Sequence, residues 1–455
     1  MKTTALFFSG LLGRCLAGYA EHLEIIQTSS GPVRGHEAPL ASNVTAYLGI
    51  PYAKPPVGDL RFAPPQQYRH NGSQIFGEKL VDEEFSEDCL VLNIWSGGYV
   101  AGSSNAKTYD GARFVEQEDI VLVTINYRLN ILGFPGAPGA QNFGLLDQRL
   151  AAEWVRDNIA KFGGDPSRIT LAGESAGAGS VDYYSYAWTA DPIVAGFIAQ
   201  SGTIQIVQTI TKETAAELWY NATLLLGCGD SSNEPEVVLQ CVRSKNVTEV
   251  MQAMSQIPTV FTPFVDDIIV FEDYAARSAA GNFAKKPLLI GHNDFEAGLF
   301  DLIQRLKGVV LPPEALEALD NRLFFCPVPA RAAVNVQHDI PVWRYRYFGE
   351  WPDMRLSKTI YTGAYHGGEV NVLFDTVPHR HGIPASTWEE VEFGRYMRGA
   401  WVAFATNPEK GLEEYGWPMY DSDTESLVRL AYGNTTGLNV ASPTAYDSVC
   451  GSTMS

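Results

Sequence analysis

The stretch that most constrains this chain is Arg168-Ile169-Thr170-Leu171-Ala172-Gly173-Glu174-Ser175-Ala176-Gly177-Ala178. It reads as a β-rich run, a tight turn bounded by glycines, and a small-residue segment able to open a helix. G-x-S-x-G in that setting is a sharp strand-to-helix turn that lifts the Ser Oγ above a sheet. Gly173 and Gly177 suit a place where strand and helix cross too closely for any side chain. The N–H of Ala176 would then face an oxygen developing on a bound substrate. Five residues can match such a pattern by chance, so the surrounding sequence has to decide.

Upstream, residues 90–95 (Leu-Val-Leu-Asn-Ile-Trp) read as a strand running straight into Ser96-Gly97-Gly98. Residues 120–126 form a continuous apolar run, as expected of a strand covered on both faces. From Asn142 onward Leu150, Trp154, Val155, Ile159 and Phe162 recur at helical spacing and stop at Gly163-Gly164. Downstream come a helix near 181–188, strands near 196–201, 287–291 and 341–347, and a helix over 388–406. Residues 210–256 read as mostly helical. Strands alternating with helices predict a largely parallel sheet with helices on both faces. No repeat, low-complexity tract or linker divides the chain, so residues 21–455 are expected to form one domain.

A Ser hydroxyl needs a His base and an acid that orients that His. On such a sheet they follow in the order Ser, Asp or Glu, His, from loops after successive strands. One loop carries Asp294 and Glu296, either of which could be the acid. Another carries His366 within Gly363-Ala364-Tyr365-His366-Gly367-Gly368-Glu369. The other histidines are weaker: His22, His36 and His70 precede the turn, and His338 precedes the last strand. His379 and His381 flank Arg380, and His292 is too near the acid. The Gly pair at 97 and 98 lets backbone N–H groups approach a substrate oxygen closely, completing an oxyanion site with Ala176.

Charge and cysteines narrow the setting. A net charge of −19 excludes a nucleic-acid partner, which needs clustered Lys and Arg. Residues 1–20, with one early Lys, an apolar run and small residues at Ala17 and Ala20, read as a secretory signal peptide. No later run is long enough to span a membrane. Sequons at Asn43, Asn71, Asn221, Asn246 and Asn434 fit an exported glycoprotein. Cys228 and Cys241 enclose a short polar loop and are plausible partners. Cys326 could reach Cys450, and Cys89 is left odd. No C-x-x-C or H-E-x-x-H spacing suggests a metal, and no cofactor is implied.

These stretches resemble the type-B carboxylesterase/lipase family, which contains the cholinesterases and the non-enzymatic neuroligins. The matches are Gly49-Ile50-Pro51-Tyr52-Ala53 with Pro55-Pro56 and Arg61-Phe62, Glu87-Asp88-Cys89 leading into 90–95, and Asn126-Tyr127-Arg128. They continue through Asn142-Phe143-Gly144-Leu145-Leu146-Asp147-Gln148-Arg149, Phe162-Gly163-Gly164-Asp165-Pro166 and 173–177. The wording is most similar to cholinesterase-like members from filamentous fungi. The resemblance implies an α/β-hydrolase fold and a secreted serine hydrolase of carboxylic esters, with small-molecule or lipid esters as substrates. It implies Ser175 as nucleophile, Glu296 rather than Asp294 as acid, His366 as base, and Gly97, Gly98 and Ala176 as oxyanion donors. It does not carry choline specificity, because no Trp occurs between Met1 and Ile94. The family also has two strands between Glu-Asp-Cys and the Gly loop where this chain has one. The sheet is therefore expected to lack a strand near residue 95, which would leave a gap in its ladder. The rival readings are a binding or adhesion module on the same fold, whose members lose the nucleophile, and an inactive product of a truncated gene.

Overall fold

The computed structural model describes residues 25–69, 90–207, 209–377 and 382–454. The expected signal peptide, Cys89, Asn71, His22, His70, His379 and His381 lie outside the described residues.

Apolar alternation and β-branched residues build twelve strands among the described residues. Two antiparallel hairpins come first: β1 (Ile25–Thr28) with β2 (Gly31–Arg34), and β3 (His36–Ala38) with β4 (Ala41–Ala46). The main sheet holds β5 (Leu90–Ile94), β6 (Val121–Thr124), β7 (Ile169–Glu174), β8 (Gly196–Gln200), β9 (Leu288–Asn293), β10 (Val342–Tyr347), β11 (Leu427–Leu430) and β12 (Val440–Ala441). Their spatial order is β12-β11-β10-β9-β8-β7-β5-β6, and every pairing is parallel except β11 with β12. The last two strands were not foreseen. They are short, and they sit at the sheet's end, where a weak apolar pattern suffices.

Because successive side chains on a strand point to opposite faces, the sheet has two cores. Leu92, Ile94, Leu171, Phe197, Ala199, Leu288 and Ile290 meet the Phe143–Asn158, Ala176–Ala187 and Pro327–Gln337 helices. Val91, Ala172, Ile198, Leu289, Trp343 and Tyr345 face the Gly368–Leu373 and Trp388–Thr406 helices through Trp401 and Phe404. β7 to β10 are buried along their whole lengths.

One expectation changes here. The ladder has no gap near residue 95, because β5 pairs with β6 on one side and β7 on the other. The single strand takes the place directly before the Gly loop, so any shortage falls at the edge. β6 meets an apolar core on each face, Val121 and Val123 on one and Leu122 on the other. It ends the sheet among the described residues, and all four of its residues are half-buried.

Helices Lys212–Leu225, Pro235–Ser244 and Val247–Met254 form a separate apolar layer around Trp219, Val238, Val242 and Val250. Cys228 is bonded to Cys241 within it, and Cys326 is bonded to Cys450, the two pairings anticipated. Among the described residues no helix is long and apolar enough to cross a membrane.

Candidate active site

Parallel strands put all their C-terminal ends on one edge. The loops after β5, β7, β9 and β10 therefore converge although they are far apart in sequence. β7 ends at Glu174 and the Ala176–Ala187 helix starts two residues later. Ser175 between them has φ 57 and ψ −119, a conformation a non-glycine residue rarely adopts. It is held there because its N–H donates to Gln200 O at 2.8 Å and its carbonyl accepts from Gly179 N–H at 2.9 Å. The glycines are sterically required. A Cβ on Gly177 would lie 2.0 Å from Ile94 O, and one on Gly173 2.4 Å from Gly177 O.

The candidate residues meet. His366 Nε2 lies 2.7 Å from Ser175 Oγ, and His366 Nδ1 lies 2.6 Å from Glu296 Oε2. All three side chains are buried. The choice between the two acids is decided by direction. Asp294 turns away and pairs with Arg346 at 2.7 Å, whereas Glu296 also accepts from Asn293 N–H at 2.6 Å. The remaining described histidines are elsewhere. His36 is buried in β3, His292 Nδ1 lies 2.9 Å from Asn293 O, and His338 Nε2 lies 2.7 Å from Ser278 O.

The Gly loop is half-buried. Gly97 (φ +134) and Gly98 (φ +61) both need a conformation that side chains disfavour. The Gly97 carbonyl accepts from Val100 N–H and Ala101 N–H, so the trans peptide turns the Gly98 N–H the opposite way. Ala176 opens a helix, where N–H groups lack intrahelical partners.

Glu369, Phe300 and Phe324 carried no recognisable signal as parts of the site. Glu369, in the quoted loop but given no role there, accepts from Asn293 Nδ2 at 2.6 Å and Gln200 Nε2 at 3.1 Å. Phe300 and Phe324 pack on the His366 ring, with centroids 5.2 and 5.0 Å away. Glu174 Oε1 is 3.3 Å from His366 Nε2. His366 thus sits among carboxylates. Burial alone would lower the imidazole, but Glu174 and Glu296 outweigh it and raise it to about 9. Burial, then the charges of Glu174 and Glu296, raise Glu369 to about 8. Burial likewise raises Glu174, against the pull of His366. A hydroxyl, an imidazole and a carboxylate in line, beside free backbone donors, can transfer a proton out of the hydroxyl and stabilise an oxyanion.

Comparison with known proteins follows the same lines. A model of the carboxylesterase family matches residues 22–308. A chlorogenic acid esterase of Aspergillus niger is 32% identical over 475 residues, covering 90% of each chain. Secreted lipase 5 of Gibberella zeae is 30% identical, again over 90% of each. A cholinesterase of Mus musculus is 30% identical, over 94% of this chain and 87% of its own. Among solved structures, a PNB esterase superposes with a TM-score of 0.76 at 26% identity, covering 92% of this chain and 97% of that one.

Proposed function

The chain belongs to the carboxylesterase family and is a carboxylic ester hydrolase of α/β-hydrolase fold, and we propose that it works through an acyl-enzyme on Ser175. The observation that carries this reading is the unbroken contact from Ser175 Oγ through His366 to Glu296, at 2.7 and 2.6 Å. His366 Nε2 takes the Ser175 proton as Oγ attacks the ester carbonyl. Glu296 holds Nδ1–H, keeping the tautomer that leaves Nε2 free and steadying the imidazolium. The N–H groups of Gly97, Gly98 and Ala176 receive the oxyanion, each donor contributing on the order of 3 kcal/mol to the transition state. Imidazolium then protonates the departing alcohol. Water, deprotonated by the same imidazole, releases the acid from Ser175.

Relatives named as a chlorogenic acid esterase, a lipase and a cholinesterase have the ester bond in common. The substrate proposed is accordingly a small-molecule or lipid ester, with Glu174 and the net charge of −19 disfavouring anionic ones. Two disulfides and a relative named as a secreted lipase support secretion as a single unit of residues 21–455. Asn43, Asn221 and Asn246 are exposed sequons open to glycosylation. Adhesion relatives lack the nucleophile, and the complete hydroxyl–imidazole–carboxylate line supports catalysis over that alternative.

The test is release of p-nitrophenol from short-chain esters by the purified protein. Ser175→Ala should lower the rate by roughly 10⁴-fold or more, and an activated organophosphonate should phosphonylate Ser175 Oγ of the wild-type protein, losing its leaving group, but not modify Ser175→Ala. Equal rates from the two proteins would end the proposal.

A further inference from the structure

Glu296 directly precedes the Ala297–Leu306 helix, at the position from which a side chain ordinarily caps the first N–H groups. Its carboxylate cannot do so. Oε1 is taken by Asn293 N–H and Oε2 by His366 Nδ1. The cap comes from another element. Ala297 N–H donates to Asp320 Oδ1 at 2.7 Å. Asp320 ends the Pro313–Asp320 helix and is 3% exposed. The turn that follows it, Asn321–Phe325, brings Phe324 onto the His366 ring. One side chain therefore pins the peptide immediately after the acid and leads into the ring that packs on the base.

We propose that Asp320 is a positioning residue for the reaction, holding the Glu296–Ala297 peptide so that the Glu296 carboxylate stays on His366. This rests on the reading of Glu296 as the acid of the relay. The groups that act on the Asp320 carboxyl are Glu296, Asp294 and Arg346. Burial first, then Glu296, push it up to about 8, with the Ala297 N–H and then Arg346 opposing. At neutral pH it is therefore mostly protonated, so it accepts the Ala297 N–H without setting a second full negative charge beside Glu296. Asp320 touches neither Ser175 nor the ring nitrogens of His366. Its effect is transmitted through the backbone.

The experiment compares Asp320→Ala, Asp320→Asn and Ser175→Ala with wild type in steady-state ester hydrolysis. Asp320→Ala removes the acceptor and should lower kcat by about 10- to 100-fold, the usual consequence of a misplacement near 1 Å, with KM little changed. Asp320→Asn keeps an acceptor oxygen and should restore most of kcat. The downfield proton resonance of the His366–Glu296 hydrogen bond should move in Asp320→Ala and not in Asp320→Asn. Should Asp320→Ala fail to fold, Asp320→Glu, which retains the acid but displaces it, should show the same kcat loss. Wild-type kcat in Asp320→Ala or in Asp320→Glu, or equal losses in Asp320→Ala and Asp320→Asn, would overturn the inference. Full activity in Ser175→Ala would instead overturn the esterase mechanism on which it rests.

Discussion

His366 can accept the Ser175 proton only while it is neutral, and the carboxylates around it work against that. The charge of Glu174 is the largest single influence that raises it, ahead of the charge of Glu296, which also takes the ring's hydrogen bond. Replacing Glu174 by Gln removes a negative charge 3.3 Å from Nε2, so the imidazole should lose its proton at lower pH. The acid limb of kcat/KM against pH should then move to lower pH in Glu174→Gln. A limb left at the wild-type position would show that Glu174 does not act on the base. Of the residues around the site, Ser175 was legible from its glycine frame and His366 from chain order and loop type. Asp294 and Glu296 were not separable from local sequence, because both are acids on the same loop. The family resemblance implied Glu296, and in the structure Glu296 faces His366 while Arg346 draws Asp294 away.

At the scale of elements, the turn at Ser175 depends on contact between three segments. β7 passes beneath the start of the Ala176–Ala187 helix, and that helix rests against the end of β5. Gly177→Ala would place a methyl against Ile94 O, and the overpacking should cost about 1–3 kcal/mol. Gly98→Ala meets only an ordinary contact, Val100 Cγ2 at 3.9 Å, so its cost is the left-handed φ, about 1–2 kcal/mol. Thermal denaturation should rank Gly177→Ala as the more destabilising of the two, and the reverse order would contradict the packing described. The position of β5 explains why the expected gap is not seen. A break inside the ladder would strand buried amides at roughly 1–3 kcal/mol each. Ending the sheet at half-buried β6 avoids that cost. No local pattern in 90–95 distinguishes a strand beside a gap from one paired on both sides. The difference lies in which neighbours reach it.

At the scale of the whole molecule, covalent links and buried acids tie distant parts together. Cys326–Cys450 spans 124 residues and Cys228–Cys241 spans 13. Loop-closure entropy makes the longer link the more stabilising, about 4–5 against about 3 kcal/mol. Serine pairs at 326/450 should therefore lower the midpoint of chemical unfolding more than serine pairs at 228/241. A second prediction concerns Glu390, buried at the start of the Trp388–Thr406 helix beside buried Asp353. Burial and the Asp353 carboxyl raise Glu390 to about 8 from an ordinary 4.5. A carboxyl raised on folding contributes stability that is complete below its unfolded pKa and is lost as pH rises through the folded value. Stability attributable to this pair should fall between about 4.5 and 8, and Glu390→Gln should flatten that part of the Tm–pH curve. An unchanged slope in Glu390→Gln would count against it.

By itself the sequence determined the alternation of strands and helices, the glycine-framed turn and the chain order of Ser175, Glu296 and His366, and it offered the two cysteine pairs as candidates. These are written in local periodicity and spacing, which a linear chain carries openly. Tertiary structure alone decided where β5 pairs, that Glu174 and Glu369 crowd His366, and that Asp320 caps the helix behind Glu296. Each of those depends on distances between residues far apart along the chain, and such distances exist only once the parallel strands have brought their ends to one edge.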